Sequence, residues 1–370
     1  MICQSLRIEP RHKITRSLNI LLPFIAIVSA LLVGAIILTL SGRNAYEGYI
    51  NLFSEAFLRP GALTATILTA TPLIYTGLTA ALAFRVRIWN IGADGQLMIG
   101  ALSASGVAFF LHGASGWITV PAMIVAGALG GMIWAWVPAY FRAKFSTNEV
   151  LTTLMFNYLA PLLLGYLIFS SQSYWRDLEG PTAKIFPQGK EIPWESFWPS
   201  LGQDTVVPLG FIAAVLLACF MHLVLNYTKY GFELLVATDS PRASNYTGIK
   251  TKQLLFTVFL LSAALAGIAG ASQVGDFSHR IEPRTLQFAA YGYMGIAVAA
   301  VARYQPIGVV VAAIFLGGLV NANLSLQGPE LPLGLLGVIQ GLILLFVASF
   351  QILSTHRIAR RRKQSSLKPS

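Results

Sequence analysis

Two groups of polar side chains interrupt long apolar runs of this chain, and these residues could contact a polar solute inside the protein. The first group is Asn90, Asp94 and Gln96, which are separated by Gly92 and Gly95 in the segment W-N-I-G-A-D-G-Q. Glycine lets the backbone leave helical geometry, so the segment predicts a kink between two apolar runs. One interpretation is therefore a polar kink beside a translocation pathway.

The depth of this segment in a membrane decides how Asp94 is stabilised. A carboxylate deep in a bilayer costs on the order of 2.5–3.5 kcal/mol on insertion scales, so it needs a partner or a water-filled cavity. A second interpretation is a cytoplasmic or interfacial turn in which Asp94 pairs with Arg85 or Arg87. Sequence does not give the depth of the turn, because helix tilt and membrane thickness vary, and both interpretations stay open here.

The second group is Thr153 and Asn157, which lie four residues apart in an apolar run and share one helix face. They could line a pore, or they could form the interhelical hydrogen bonds that such residues often make in membranes. A third segment, 292–300, is rich in small residues. Small residues at helical spacing predict close packing between membrane helices.

Some kinds of chemistry have no motif in this sequence. The phosphate-binding pattern G-x-x-x-x-G-K-[ST] does not occur. The five histidines are scattered, without the spacing of metal ligands. We therefore expect a chain that is not an enzyme, has no catalytic or metal-binding residues, and carries no cofactor of its own.

The composition predicts a membrane protein. Hydrophobic residues make up 55% of the 370 residues and charged residues 11%, whereas a globular domain carries roughly 25% charged residues. A membrane-spanning helix needs about 20 mostly apolar residues. We predict an all-α polytopic membrane protein with about ten transmembrane helices. The ten apolar runs are 18–40, 61–83, 97–111, 118–140, 150–171, 207–226, 254–274, 288–302, 307–326 and 333–353.

The distribution of basic residues predicts the orientation. With both termini inside, 19 of the 26 lysines and arginines are cytoplasmic, as the positive-inside rule expects. This explains the net charge of +11 without a nucleic acid partner. The largest outer loop is then about 172–206, which is rich in tryptophan and proline. It is either an aromatic interface belt or a docking face for an external partner.

Five ordered motifs lie between residues 85 and 346. They are W-N-I-G-A-D-G-Q at 89–96, N-E-V-L-T-T-L-M-F-N-Y at 148–158, S-P-R-A-S-N-Y-T-G-I at 240–249, G-Y-M-G-I-A-V-A-A at 292–300 and Q-G-L-I-L-L-F at 340–346. Together they resemble the motifs of the permeases of ABC importers for branched-chain amino acids, ribose and simple sugars, nearest the nucleoside and simple-sugar branch. The chain departs from the family pattern at Trp89, Asp94, Ser244 and Ala302.

The resemblance implies a permease similar to those of type II ABC importers, in a bacterial inner membrane. Residues 18–353 would form the transmembrane permease domain, between basic cytoplasmic tails at 1–17 and 354–370. The implied partners are an ATPase subunit that uses the ATP, a second and related permease, and an external solute-binding protein. An alternative function is a secondary transporter driven by an ion gradient. The candidate pathway residues are Asn90, Asp94, Gln96, Thr153 and Asn157.

The resemblance also implies that segment 239–249 is the coupling helix, which docks on the ATPase. Its residue types suit a short cytoplasmic helix, because Asp239 or Ser240 can cap it and Pro241 suits its first turn. Gly248 can terminate it. A secondary transporter would not need such a segment. The candidate coupling residues are Asp239, Ser240, Pro241, Arg242, Ala243, Tyr246, Gly248 and Ile249.

Overall fold

The chain forms two compact units. One consists of Met1–Ile50 together with Gln327–Ser370, and the other of Asn51–Leu326. The structure is a computed structural model. It describes residues 6–10, 16–42, 44–179, 185, 187–202, 206–239, 244, 246, 248–325, 338, 341–342, 345–346, 349 and 356–360.

The unit that joins the two ends of the chain contains the first predicted span. This span is helix α1, Arg16–Leu40, which confirms the apolar run at 18–40. Strand β1, Leu6–Pro10, precedes α1 and pairs antiparallel with strand β4, His356–Arg360. The two terminal segments therefore lie side by side. The predicted tenth span, 333–353, lies mostly outside the described residues.

Helix α2, Ala45–Phe53, follows α1. It is not among the ten apolar runs predicted from the sequence. Tyr49 on α2 donates a hydrogen bond to the carbonyl oxygen of Leu31 on α1, at 2.5 Å. A π-helical turn, Ser54–Leu58, continues α2. The segment is too short and too polar for the continuous apolar pattern that reveals a membrane span.

The larger unit is built from helices, with one short pair of strands, β2 (Ser200–Leu201) and β3 (Val207–Pro208). Two π-helical turns, Tyr166–Ser170 and Gln273–Ser278, each continue the α-helix that precedes them. The helices are α3 Ala62–Arg85, α4 Ala93–Phe110, α5 Gly116–Phe145, α6 Glu149–Gly165, α7 Leu209–Tyr227, α8 Lys229–Asp239, α9 Thr251–Ser272, α10 Pro283–Ala289, α11 Tyr291–Val301 and α12 Pro306–Ser325.

The helix boundaries differ from the predicted runs at three places. α4 begins at Ala93, so part of the predicted polar kink forms its first turn. The predicted run 288–302 is broken at Ala290, whose left-handed backbone (φ 47°) separates α10 from α11. α8 lies within a segment predicted as a cytoplasmic loop. Among the described residues, five helices are long and apolar enough to cross a membrane, and the total of ten spans stays a prediction.

Glycine residues bring α4, α5 and α9 into direct backbone contact. Gly267 of α9 faces Gly100 of α4 and both Gly127 and Gly131 of α5. A Cβ atom at Gly267 would overlap the carbonyl oxygen of Gly127. Helices in lipid associate through close van der Waals packing, so these glycines determine how near the three helices approach.

Small residues also surround α3, most of which is buried. A Cβ atom at Gly77 would lie 2.7 Å from Cγ1 of Val309 on α12. A Cβ atom at Gly295 of α11 would lie 2.5 Å from Oγ1 of Thr76 on α3. The close packing predicted for the small-residue segment 292–300 is therefore confirmed.

We predict that Gly267→Val destabilises the permease unit by about 3 kcal/mol, the upper end of the usual cost of overpacking. The new side chain would overlap backbone atoms, which have no room to move. The matched control is Gly165→Ala, because a Cβ atom there would lie 3.9 Å from Phe169. The measurement is the thermal midpoint of the detergent-solubilised protein, and an equal midpoint for both variants would contradict this packing.

Candidate functional site

The carboxylate of Asp94 lies at the start of helix α11. Its Oδ1 accepts a hydrogen bond of 2.6 Å from the backbone N–H of Gly292, and the N–H of Tyr293 also donates to it. Asp94 itself stands in the first turn of α4. A helix start favours negative charge through its unpaired N–H groups and its dipole. Two helix starts therefore stabilise one buried carboxylate.

Neither arginine that the sequence offered as a partner contacts Asp94. Arg85 donates to the side-chain oxygen of Asn226 at 3.0 Å. Arg87 pairs with Asp239 at 3.5 Å. The interpretation of an interfacial turn held by an Asp94–arginine pair is therefore wrong, because backbone N–H groups from another helix take that role.

The length of α11 separates this contact from the next basic residue. α11 has 11 residues, which corresponds to about 16 Å at the usual rise per residue. Arg303 follows the far end of α11, so the Asp94 carboxylate lies about one helix length from that arginine.

Asn157 of α6 joins three segments at the same level. Its Oδ1 accepts from the backbone N–H of Gly95 at 2.8 Å, in the first turn of α4. Its Nδ2 donates to the carbonyl oxygen of Ile91 at 2.7 Å and to the hydroxyl of Tyr293 at 3.2 Å. The polar interactions predicted for Asn157 are therefore interhelical hydrogen bonds.

The side-chain amides of Asn90, just before α4, and Gln96, near the start of α4, donate hydrogen bonds to each other. Gln96 Nε2 donates to Asn90 Oδ1 at 2.9 Å, and Asn90 Nδ2 donates to Gln96 Oε1 at 3.1 Å. Asn90 also donates to the hydroxyl of Ser262 on α9, at 3.0 Å, and accepts from the backbone N–H of Gly92. The pair ties the α3–α4 connection to α9.

Thr153 has a different environment from the other predicted residues. Its hydroxyl donates to the carbonyl oxygen of Glu149 at 2.7 Å, one turn earlier in its own helix. Its Cβ lies 3.0 Å from the place a Cβ atom would occupy at Gly92, so it packs against the kink. The structure thus gives the Thr153 hydroxyl a partner within α6 rather than across the junction.

We call the contacts of Asn90, Asp94, Gln96 and Asn157 with their partners the polar junction. These four residues and Thr153 are each less than a tenth exposed. Tyr293 is 41% exposed, and the neighbouring Tyr158 is 67% exposed. The junction therefore reaches the surface of the subunit at two tyrosines, which the sequence analysis did not select because each lies in an apolar run.

The sequence analysis also missed a half-buried carboxylate, that of Asp276. Asp276 lies in the turn that extends α9. It accepts from the backbone N–H of Gly210, at the start of α7, at 3.3 Å and from the hydroxyl of Ser272 at 3.1 Å. Tyr75 of α3 donates to the carbonyl oxygen of the same Gly210 at 3.0 Å. The sequence signal that could have revealed it is an acidic residue only two positions beyond the predicted span 254–274.

The predicted coupling segment is partly described. Asp239 is the last residue of α8, and Tyr246 is helical and 94% exposed. Gly248 adopts a left-handed backbone with φ 75°, as expected of a glycine that ends a helix. The N–H of Ile249 bonds back to the carbonyl oxygen of Ser244 at 3.1 Å. The candidates Ser240, Pro241, Arg242 and Ala243 lie outside the described residues.

The tryptophans of the predicted outer loop have different environments. Trp194 is exposed, whereas Trp198 is buried and Trp175 donates to the carbonyl oxygen of Leu102 at 3.0 Å. His279 stacks on Phe197 with the ring centroids 3.7 Å apart, and burial lowers the pKa of that histidine. The loop therefore packs on the helix ends and leaves the Trp194 side chain exposed.

Comparison with known proteins assigns the family. The profile of a family described as branched-chain amino acid transport system, permease component, matches residues 62–348. The chain belongs to this permease family. It is accordingly an integral membrane subunit of an ABC transporter, a class in which the ATPase is a separate subunit and a binding protein supplies the solute.

Three relatives resemble the permease over most of their length. The guanosine ABC transporter permease protein NupP of Bacillus subtilis is 32% identical, over 91% of this chain and 95% of the relative. A glucose ABC transporter permease protein of Haloferax volcanii is 28% identical, over 95% and 93%. The nucleoside ABC transporter permease protein NupB of Lactococcus lactis is 28% identical, over 89% and 91%.

We predict that Asp94→Ala lowers the unfolding free energy of the permease by about 1–2 kcal/mol, the usual cost of losing a helix cap. The N–H of Gly292 would then be buried without a partner. Asp94→Asn keeps an acceptor and should lose less. The control Thr153→Val conserves shape and removes only a bond within α6. Thermal midpoints of the three variants test this order, and a midpoint for Asp94→Ala equal to that of Thr153→Val would contradict it.

Proposed function

We propose that this permease imports nucleosides, which an external binding protein delivers and a separate ATPase drives. The observation that carries the proposal is the similarity, over nine-tenths of the chain, to a permease named for guanosine. The similarity to a relative named for nucleosides supports it. Simple sugars are the second candidate, because a relative named for glucose matches over a comparable length.

The polar junction suggests where the solute passes. Its predicted pathway residues are buried, but Tyr293 and Tyr158 bring hydroxyl groups to the surface of α11 and α6 beside Asn157. On the same surface of α6, Met155 and Leu162 are exposed. We propose that the pathway runs along this face, between the subunit and a second, related permease. In this proposal Asn90, Asp94 and Gln96 hold the two helix starts that shape the wall.

An arrangement with both termini in the cytoplasm of a bacterial cell fits the basic residues and the paired terminal strands. β1 and β4 lie side by side, which supports an arrangement with the two ends of the chain on one side of the membrane. The outer loop then carries the exposed Trp194 toward the binding protein. The segment at 239–249 lies on the ATPase side.

The geometry of the described coupling residues favours ATPase docking. Tyr246 offers an exposed aromatic side chain, a type that often dominates protein interfaces. Asp239, at the end of α8, pairs with Arg87. Arg87 is only seven positions before Asp94 in the chain. A displacement of the coupling segment would therefore act close to the polar junction.

The solute is tested with the reconstituted complex of both permeases, the ATPase and the binding protein. We expect ATP-dependent uptake of labelled guanosine, little uptake of leucine, and no uptake when the ATPase is omitted. Uptake of glucose without nucleosides would select the second candidate. Uptake of branched-chain amino acids alone would refute the solute proposal. Uptake that persists without the ATPase and stops when the ion gradient is collapsed would support a secondary transporter.

Coupling to the ATPase is tested by substitutions at Gly248. The effect of a side chain there depends on the left-handed backbone conformation rather than on steric overlap. No atom of the described residues lies within 4 Å of the place a Cβ atom would occupy there, but φ is 75°. We predict that Gly248→Val weakens ATPase association, because β-branched residues tolerate positive φ poorly. The matched control Gly248→Asn should keep it, because asparagine adopts this conformation more readily.

Tyr246→Ala is the second coupling variant. Loss of an aromatic anchor should cost about 2 kcal/mol of ATPase binding, while membrane insertion is unchanged. The measurement is co-purification of the ATPase with the tagged permease, together with uptake. Normal co-purification and uptake in both Gly248→Val and Tyr246→Ala would show that this segment is not the coupling helix.

A further inference from the structure

A cavity of about 310 Å³ lies at one end of the helix bundle, and its lining includes Val86, Arg87 and Ile88, which precede Asn90 of the polar junction in the chain. Four parts of the chain line it: the α3–α4 connection, the end of α5, the end of α8 and the start of α9. The structure assigns this cavity as a binding site for the headgroup of an anionic phospholipid. The assignment does not depend on the identity of the transported solute.

Three basic side chains line the cavity, namely Arg87, Arg142 and Lys252. Arg142 forms an ion pair with the buried Glu149, in which its Nε lies 3.2 Å from the carboxylate. Arg87 meets Asp239 at 3.5 Å, but both side chains are more than half exposed, so this pair is weak. Within the described part of the chain, positive charges therefore outnumber the carboxylates that face them, which favours an anionic ligand.

Apart from Ser146 and Thr238, the rest of the lining is apolar. Val86, Ile88 and Phe259 are buried, and Leu255 and Phe256 stand half-buried on the first turns of α9. A free phosphate ion would leave this apolar surface without a matching group. A phospholipid presents a charged phosphate and, beyond its short glycerol backbone, apolar acyl chains. The division of the lining into basic and apolar parts fits that ligand best.

The level of the cavity matches the headgroup region of a membrane. At the adjoining end of α5, Trp136 and Tyr140 stack with ring centroids 5.2 Å apart, and Phe145 is exposed. The Lys144 ammonium lies 5.3 Å from the centroid of the Tyr140 ring and 2.8 Å from its hydroxyl oxygen. Aromatic belts with basic side chains mark the membrane–water interface. Basic pockets between helices at that level are suited to anionic lipid headgroups.

The test uses the full permease complex in mild detergent with an equimolar mixture of phosphatidylglycerol and phosphatidylcholine, and native mass spectrometry counts the retained lipid. We expect wild type to retain phosphatidylglycerol preferentially. Lys252→Gln should lower that retention about fivefold, and Lys252→Gln with Arg87→Gln about 25-fold, as expected for independent basic side chains near an anionic surface. The matched control is Lys144→Gln, which removes an interfacial lysine outside the cavity and should leave retention unchanged.

Further arms of the experiment separate the lipid from other anions. Inorganic phosphate and glycerol 3-phosphate should not displace the retained lipid, and displacement by either at millimolar concentration would show a phosphate site instead. Equal retention of both lipids in wild type, or retention unaffected by Lys252→Gln, would overturn the assignment. If Lys252→Gln reduced only ATPase co-purification, the cavity would receive an acidic segment of that subunit and the lipid site would be refuted. Because lipid retention is measured without transport, a failure of the nucleoside proposal would leave this result unaffected.

Discussion

The contact between the Asp94 carboxylate and the start of α11 is the constraint on which the centre of this permease depends. It joins residues 198 positions apart in the sequence. It also gives a partner to the start of α11, which the break at Ala290 creates within the predicted run 288–302. A buried carboxylate and two exposed helix starts would each be unfavourable alone in a membrane. Together they satisfy one another, and Asn157 completes the set at the first turn of α4.

Glycine packing makes this arrangement possible. Gly292 presents its backbone so closely to Ala93 and Asp94 that a side chain there would overlap them. Gly100 holds α4 against Gly267 of α9, and Gly127 holds α5 against the same residue, in the same way. The polar junction therefore lies in a part of the subunit whose helices are fixed by backbone contact. In such a structure, movement is more easily accommodated at the connections and helix breaks than within the packed helices.

The sequence predicted the helical class, most described spans and the close packing around residues 292–300, because continuous apolar runs and small residues carry strong local signals. It did not predict α8, since Lys229 and Glu233 interrupt its apolar pattern. It selected Asp94 but not its partner, because a backbone N–H 198 positions away leaves no mark on side-chain types. Asn157 and Gln96 were chosen as polar groups in apolar runs, yet whether they face a solute or another helix depends on packing that no local pattern records.

The helix break between α10 and α11 has a consequence for the entropy of the subunit. Ala290 adopts a left-handed conformation with φ 47°, which costs an alanine roughly 1–2 kcal/mol and a glycine much less. Glycine at this position would let the break sample many backbone geometries, whereas alanine leaves few alternatives once the surrounding contacts have imposed this one. The two short helices are therefore connected by a preorganised joint, and α11 presents its N–H groups to Asp94 with little further loss of conformational freedom.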